Sequence, residues 1–231
     1  MRRQVALVVS ALMSALAFIA TFLIIVPLPW TGGYFNLGDA AVILSGLLFG
    51  PAIGGIVGAI GPTVADIIAG YLVFAPATLV AKALEGAVSG LVVGRLAKMG
   101  SKRARTVSLA TTGLYGVVGF AILACLLFTS QTSETLVMSG TWAVVFIAFS
   151  LVILATTLRG QWSDTTTGIL AGAIGATFMV STYFLYEQFL MGVPAILEVV
   201  PNCLQGMLGS GIAGTVYGYK GLRDRMNSVN R

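Results

Sequence analysis

The chain has 231 residues, of which 57% are hydrophobic and 9% charged, with a mean hydropathy of +0.96 and a formal net charge of +5. A water-soluble domain carries roughly 25% charged residues and could not cover this much apolar surface, so a soluble fold is excluded. The pI of about 9.5 is assigned to membrane topology and the anionic inner leaflet rather than to nucleic acid, and the absence of histidine excludes His-dependent metal sites, nucleophile triads and proton relays.

Eight apolar segments follow in chain order, at 5–26, 37–49, 52–70, 74–96, 106–128, 141–158, 165–190 and 194–219. Most approach the roughly 20 residues that a helix needs to cross hydrocarbon. The expectation is one all-α integral membrane domain over 1–231, with no soluble module. The first segment exceeds a signal-peptide core and ends in Pro27-Leu28-Pro29 without an obvious cleavage site, so it is expected to be retained as a helix. Segment 37–49 is short, but it is kept as a span bounded by Gly50-Pro51, because dropping it would put later basic clusters on the opposite side.

The basic residues fix orientation. Arg2 and Arg3, then Arg95, Lys98, Lys102, Arg103 and Arg105, then Arg159, then Lys220, Arg223, Arg225 and Arg231 all fall on one side when the segments are threaded alternately. Cytoplasmic loops carry the excess of Lys and Arg, so both termini are expected to be cytoplasmic. Cys125 and Cys203 lie in apolar runs and are expected to be inert packing residues. The first outside loop, 27–36, is rich in Pro and aromatics, including Trp30, Tyr34 and Phe35. It suits either an interfacial anchor or a lid.

Chemistry inside the bilayer is confined to few residues. Asp66, Lys82, Glu85 and Glu198 lie in apolar segments, where an ionisable group costs at least ~2.5 kcal/mol and therefore points to function. Lys82 and Glu85, three apart, can neutralise one another. With Ala75, Thr78 and Ser89 they form a polar stripe that must avoid lipid, either as a register-fixing ion pair or as a substrate face. Glu198, Asn202 and Gln205 recur at helical spacing, and their amides offer the donors and acceptors that a polar ring compound requires. Beside them Gly206, Ser210, Gly214 and Gly218 form a close-packing row, and Gly50, Gly54 and Gly58 form another. Tyr183, Tyr186 and Glu187 stand at the outer end of the preceding helix. Asn36 and Asp39 suit a helix start, as cap and as charge at the positive end. Asp66 follows Pro62 and is placed to pair with Lys82 or to face a cavity.

Four motifs in order carry a family resemblance: Gly33-Tyr34-Phe35-Asn36-Leu37-Gly38-Asp39; Leu48-Phe49-Gly50-Pro51; Ala75-Pro76-Ala77-Thr78 with Lys82-Ala83-Leu84-Glu85-Gly86; and Pro201-Asn202-Cys203-Leu204-Gln205-Gly206. Together they resemble the S components of energy-coupling factor (ECF) transporters, in the group that takes up riboflavin, pyridoxine or hydroxymethylpyrimidine. The resemblance implies a six-helix bundle that captures a vitamin from outside and works with a transmembrane T component and two ABC ATPases. The candidate substrate contacts read from the residues are Asn36, Asp39, Lys82, Glu85, Tyr183, Glu198, Asn202 and Gln205; the resemblance adds docking through an Ala-x-x-x-Ala pattern at Ala11 and Ala15. Residues 106–160 would then be an inserted helix pair. Neither cofactor nor metal is expected, and no phosphate-binding loop occurs, so the chain is read as a non-enzyme. The competing reading is a self-sufficient ion-coupled transporter using Asp66, Lys82 and Glu85.

Overall fold

The computed structural model describes residues 3–28, 32–128, part of 143–158, 162–192 and 195–219. Trp30 and the basic residues Arg2, Arg159, Lys220, Arg223, Arg225 and Arg231 lie outside the described residues. The chain divides into two compact units, Met1–Lys98 with Ser163–Arg231, and Met99–Trp162.

The first unit comprises helices α1 (Arg3–Phe22), α2 (Gly38–Phe49), α3 (Pro51–Ala69), α4 (Ala75–Leu96), α6 (Asp164–Met191) and α7 (Ile196–Tyr217), with two short strands, β1 (Val26–Pro27) and β2 (Tyr34–Phe35). Helix α5 (Ser101–Phe128) belongs to the second unit. The architecture is all-α and membrane-embedded. Among the described residues, α1, α3, α4 and α6 are long and apolar enough to cross a bilayer, and α2 is a shorter apolar helix of 12 residues.

Each helix hides a narrow small or polar stripe and shows a broad apolar face. In α1 the buried residues are Ser10, Ser14, Ala17 and Thr21, at helical spacing, whereas Leu7, Leu12, Leu16 and Ile19 are exposed. This inverts the soluble pattern, because lipid solvates the large aliphatic side chains while small residues let backbones approach. Helix α1 packs on α3, α3 on α4, α4 on α6 and α6 on α7, while α2 lies against α1, α3, α4 and α7.

Glycines set the closest crossings. A Cβ on Gly54 would stand 2.7 Å from the Gly46 Cα, and one on Gly90 would stand 2.7 Å from the Gly50 carbonyl carbon, so α2, α3 and α4 meet nearly backbone to backbone. The row read from the last helix behaves likewise: Gly206 faces Ala176, Gly214 faces Ile169, and Gly218 faces Thr165. Gly50, at φ 88°, turns α2 directly into α3. Only glycine adopts that conformation cheaply, and Pro51 then presets the first helical φ. Helix α3 continues unbroken through Pro62.

The Pro- and aromatic-rich loop, expected to serve as an anchor or a lid, carries a two-residue antiparallel ladder that pairs Val26 with Phe35 and Pro27 with Tyr34. In the second unit, hydroxyls join α5 to helical residues between 143 and 158. The Ser108 and Thr157 hydroxyls lie 2.6 Å apart, and the Ser150 hydroxyl donates to the Thr112 carbonyl at 2.9 Å. Residues 106–160, read as an added helix pair, fall within this unit.

Candidate substrate site

A cavity in the first unit encloses about 410 Å³ of space, counting its open mouth. Every element of that unit's bundle reaches it or braces it. Thr21 comes from the end of α1; Gly33, Tyr34 and Asn36 come from the β2 hairpin arm; and Pro62 and Asp66 come from α3. Thr78 and Lys82 of α4, Tyr183 and Glu187 of α6, and Glu198, Asn202 and Gln205 of α7 complete the wall.

Its base is an ion-paired knot. The Lys82 ammonium is paired with Asp39 of α2, and Glu85 Oε2 stands 3.8 Å away. Lys82, Asp39 and Glu85 are all essentially inaccessible. Gln205 ties the knot to the wall, since its Nε2 donates to Asp39 at 3.1 Å while its Oε1 accepts the Asn36 backbone N–H at 2.8 Å. The Tyr183 ring lies beside the ammonium at 5.6 Å from ring centroid to Nζ, near enough for the ring quadrupole to favour the charge. Three helices and the hairpin arm therefore converge on one lysine.

The upper wall is held by hydroxyls. Tyr34 donates its hydroxyl to Asp66 Oδ1, which fastens the hairpin arm to α3, and its ring lies 4.4 Å from the Tyr71 ring, tilted by 42°. Burial, then the Asp66 carboxylate, raises the Tyr34 pKa above its ordinary value, so the phenol stays a donor at physiological pH. Tyr183 donates to Thr78 at 2.8 Å, and Tyr186 donates to the Val73 carbonyl at 2.6 Å. Gly33 lies so close to the Glu198 carboxyl that a Cβ there would collide with it. The hairpin arm thus covers the N-terminal end of α7.

Of the residues singled out from the sequence, Asn36, Lys82, Tyr183, Glu198, Asn202 and Gln205 line the cavity. Asp39 and Glu85 do not; they sit behind it as partners of Lys82. The expected Lys82 to Glu85 neutralisation is the weaker half of the knot, because the adjacent helix α2 brings Asp39 closer. The Asn36 side-chain oxygen accepts the Gly38 N–H at 2.8 Å. Leu37 occupies the N-cap position without a side-chain bond, so the bond is a local turn rather than a helix cap. Asp66 faces the cavity and is tied to Tyr34, not to Lys82. Ala11 and Ala15 lie on the exposed face of α1.

Sequence reasoning did not assign Thr21, Tyr34, Thr78 or Glu187 to the site. Thr21 gave no signal, because its hydroxyl bonds back to the Ala17 carbonyl at 2.8 Å as in any apolar helix. Thr78 and Glu187 stood in stripes already noticed, and depth alone separates them from belt residues.

The family model of the ECF-type riboflavin transporter S component matches residues 3–162. The chain belongs to this S-component family. A 112-residue stretch is 37% identical to an uncharacterized protein in the gap 3' region of Pyrococcus woesei, covering 48% of this S component and 72% of that protein. No solved structure matches it. As a transporter S component it is a multi-pass membrane protein of vitamin-type uptake and not an enzyme. Among the described residues no group of three or more His, Cys, Asp or Glu side chains is arranged to hold a metal ion.

Proposed function

We propose that this S component captures a water-soluble vitamin or vitamin precursor, of the riboflavin, pyridoxine or hydroxymethylpyrimidine class, from the outer face of a prokaryotic cell membrane. It then hands the ligand to a T component and two ABC ATPases. The observation that carries this reading is the polar cavity beneath the β1–β2 hairpin, walled by α1, α3, α4, α6 and α7. A bundle that buries amides, a tyrosine and carboxylates around one opening is built for a small polar ligand.

The side chains proposed to contact the ligand are Asn36, Lys82, Tyr183, Glu198, Asn202 and Gln205, with Asp39 and Glu85 holding Lys82 in place. Docking to the T component is assigned to α1, where Ala11 and Ala15 share an exposed face and permit close backbone approach. The one-sided distribution of Lys and Arg sets both termini in the cytoplasm.

The test is co-purification from the native membrane together with a ligand screen. Recovery of a T component and two ATPases, and stoichiometric binding of a vitamin by the purified chain, are the expected results. Ion-driven uptake by the chain alone in liposomes would overturn the reading in favour of a self-sufficient transporter.

A further inference from the structure

Resting on the reading of the cavity as the capture site, we propose that its ligand is cationic: a small ring bearing a protonated amine or ring nitrogen, seated against Asp66 and Glu187. The argument begins with charge. Three carboxyl groups line the cavity, from Asp66, Glu187 and Glu198, against one cationic side chain, Lys82. That ammonium is already paired with Asp39 and has Glu85 3.8 Å away, so it has little charge left to offer the wall.

The tyrosine donors are committed as well. Tyr34 gives its hydroxyl hydrogen to Asp66 Oδ1, and Tyr183 gives its own to Thr78. Asp66 Oδ2 and Glu187 Oε2 have no hydrogen-bond partner within the described chain. Their residues are only 1% and 2% exposed. Both line the cavity, and Glu187 lies within electrostatic range of Glu198.

Buried carboxyl oxygens without a donor are costly, and they become favourable when a charged donor meets them. An anionic ligand would meet three carboxyl groups on this wall. A nitrogen cation answers this carboxyl-rich wall and supplies a charged donor to an orphaned carboxyl oxygen. Among the described residues no group of three or more His, Cys, Asp or Glu side chains is placed to hold a metal ion instead. The neighbouring Tyr183 ring adds a face that suits a cation.

The test compares ligands of matched shape and different charge on the purified full chain. Pyridoxamine, with its cationic aminomethyl group, and pyridoxine, with a neutral hydroxymethyl group, are titrated calorimetrically at neutral pH, with hydroxymethylpyrimidine and riboflavin alongside. Pyridoxamine is expected to bind at least tenfold more tightly than pyridoxine. Glu187→Gln should reduce that preference to threefold or less while the protein stays folded. Asp66→Asn should do the same; because it also alters the Tyr34 contact, Glu187→Gln decides if that variant unfolds.

Equal or tighter binding of pyridoxine or riboflavin, or a preference for the amine that survives Glu187→Gln, overturns the cationic assignment and leaves vitamin capture standing. A folded chain that binds none of the four overturns both.

Discussion

Replacing Lys82 by methionine should be the most damaging single change in the bundle. Methionine keeps the length and apolar stem of lysine, so the packing loss is small and the effect is electrostatic. The ammonium is paired with Asp39 and stands 3.8 Å from Glu85, and neither carboxylate is exposed. Without it, two buried carboxyl groups face each other across α2 and α4, and the Gln205 amide, at 3.1 Å from Asp39, supplies one neutral donor. Breaking a buried ion pair by deleting one partner costs about 3–5 kcal/mol, which is more than a hundredfold in the folded to unfolded ratio. Asp39→Asn leaves Lys82 with Glu85 as partner and should cost less, about 1–3 kcal/mol. The double variant Lys82→Met with Asp39→Asn should lose less than the sum of the two, because one orphaned charge is then gone. Unfolding in mixed micelles, followed by the helical circular dichroism signal, gives all three values. A Lys82→Met protein within ~1 kcal/mol of the parent, or strict additivity in the double variant, would refute the assignment of this lysine as the electrostatic centre of the bundle.

Three further perturbations separate packing, binding and docking. Gln205→Ala should lose about 1–3 kcal/mol of stability as well as ligand affinity, because it removes bonds to Asn36 and Asp39; Asn202→Ala should lower affinity by about 1–3 kcal/mol with less effect on stability, and equal unfolding midpoints for the two would contradict this. Gly54→Ala should destabilise by about 1–3 kcal/mol through overpacking, whereas Gly94→Ala, with nothing within 4 Å of the new Cβ, should be neutral or slightly stabilising; thermal unfolding of the pair checks the backbone contact between α2, α3 and α4. Ala15→Trp, on the exposed face of α1, should leave the stability and ligand affinity of the isolated chain unchanged while preventing co-purification with the T component; a loss of folded protein would show that this face packs within the chain.

The sequence by itself determined the class, the helices and the family. Long apolar segments with few charged residues can be satisfied only by helices in a bilayer, and the limits of α4, expected at 74–96 and found at Ala75–Leu96, are set by Tyr71-Leu72-Val73 before it and basic residues after it. The stripe Thr78, Lys82, Glu85 and Ser89 was legible as buried, because those side chains have no place in lipid, and all four are buried. Tertiary structure alone decided who pairs with whom. Helical periodicity records contacts within a helix, so it offered Glu85 to Lys82; the approach of α2 to α4, set by glycines at Gly46, Gly86 and Gly90, put Asp39 there first. The same limit hid the Tyr34 to Asp66 bond, which joins residues 32 apart in the chain. It also hid the Gln205 to Asn36 bond, which joins residues 169 apart. A polar side chain in a membrane segment announces that it needs a partner, but only the packing of the helices supplies one.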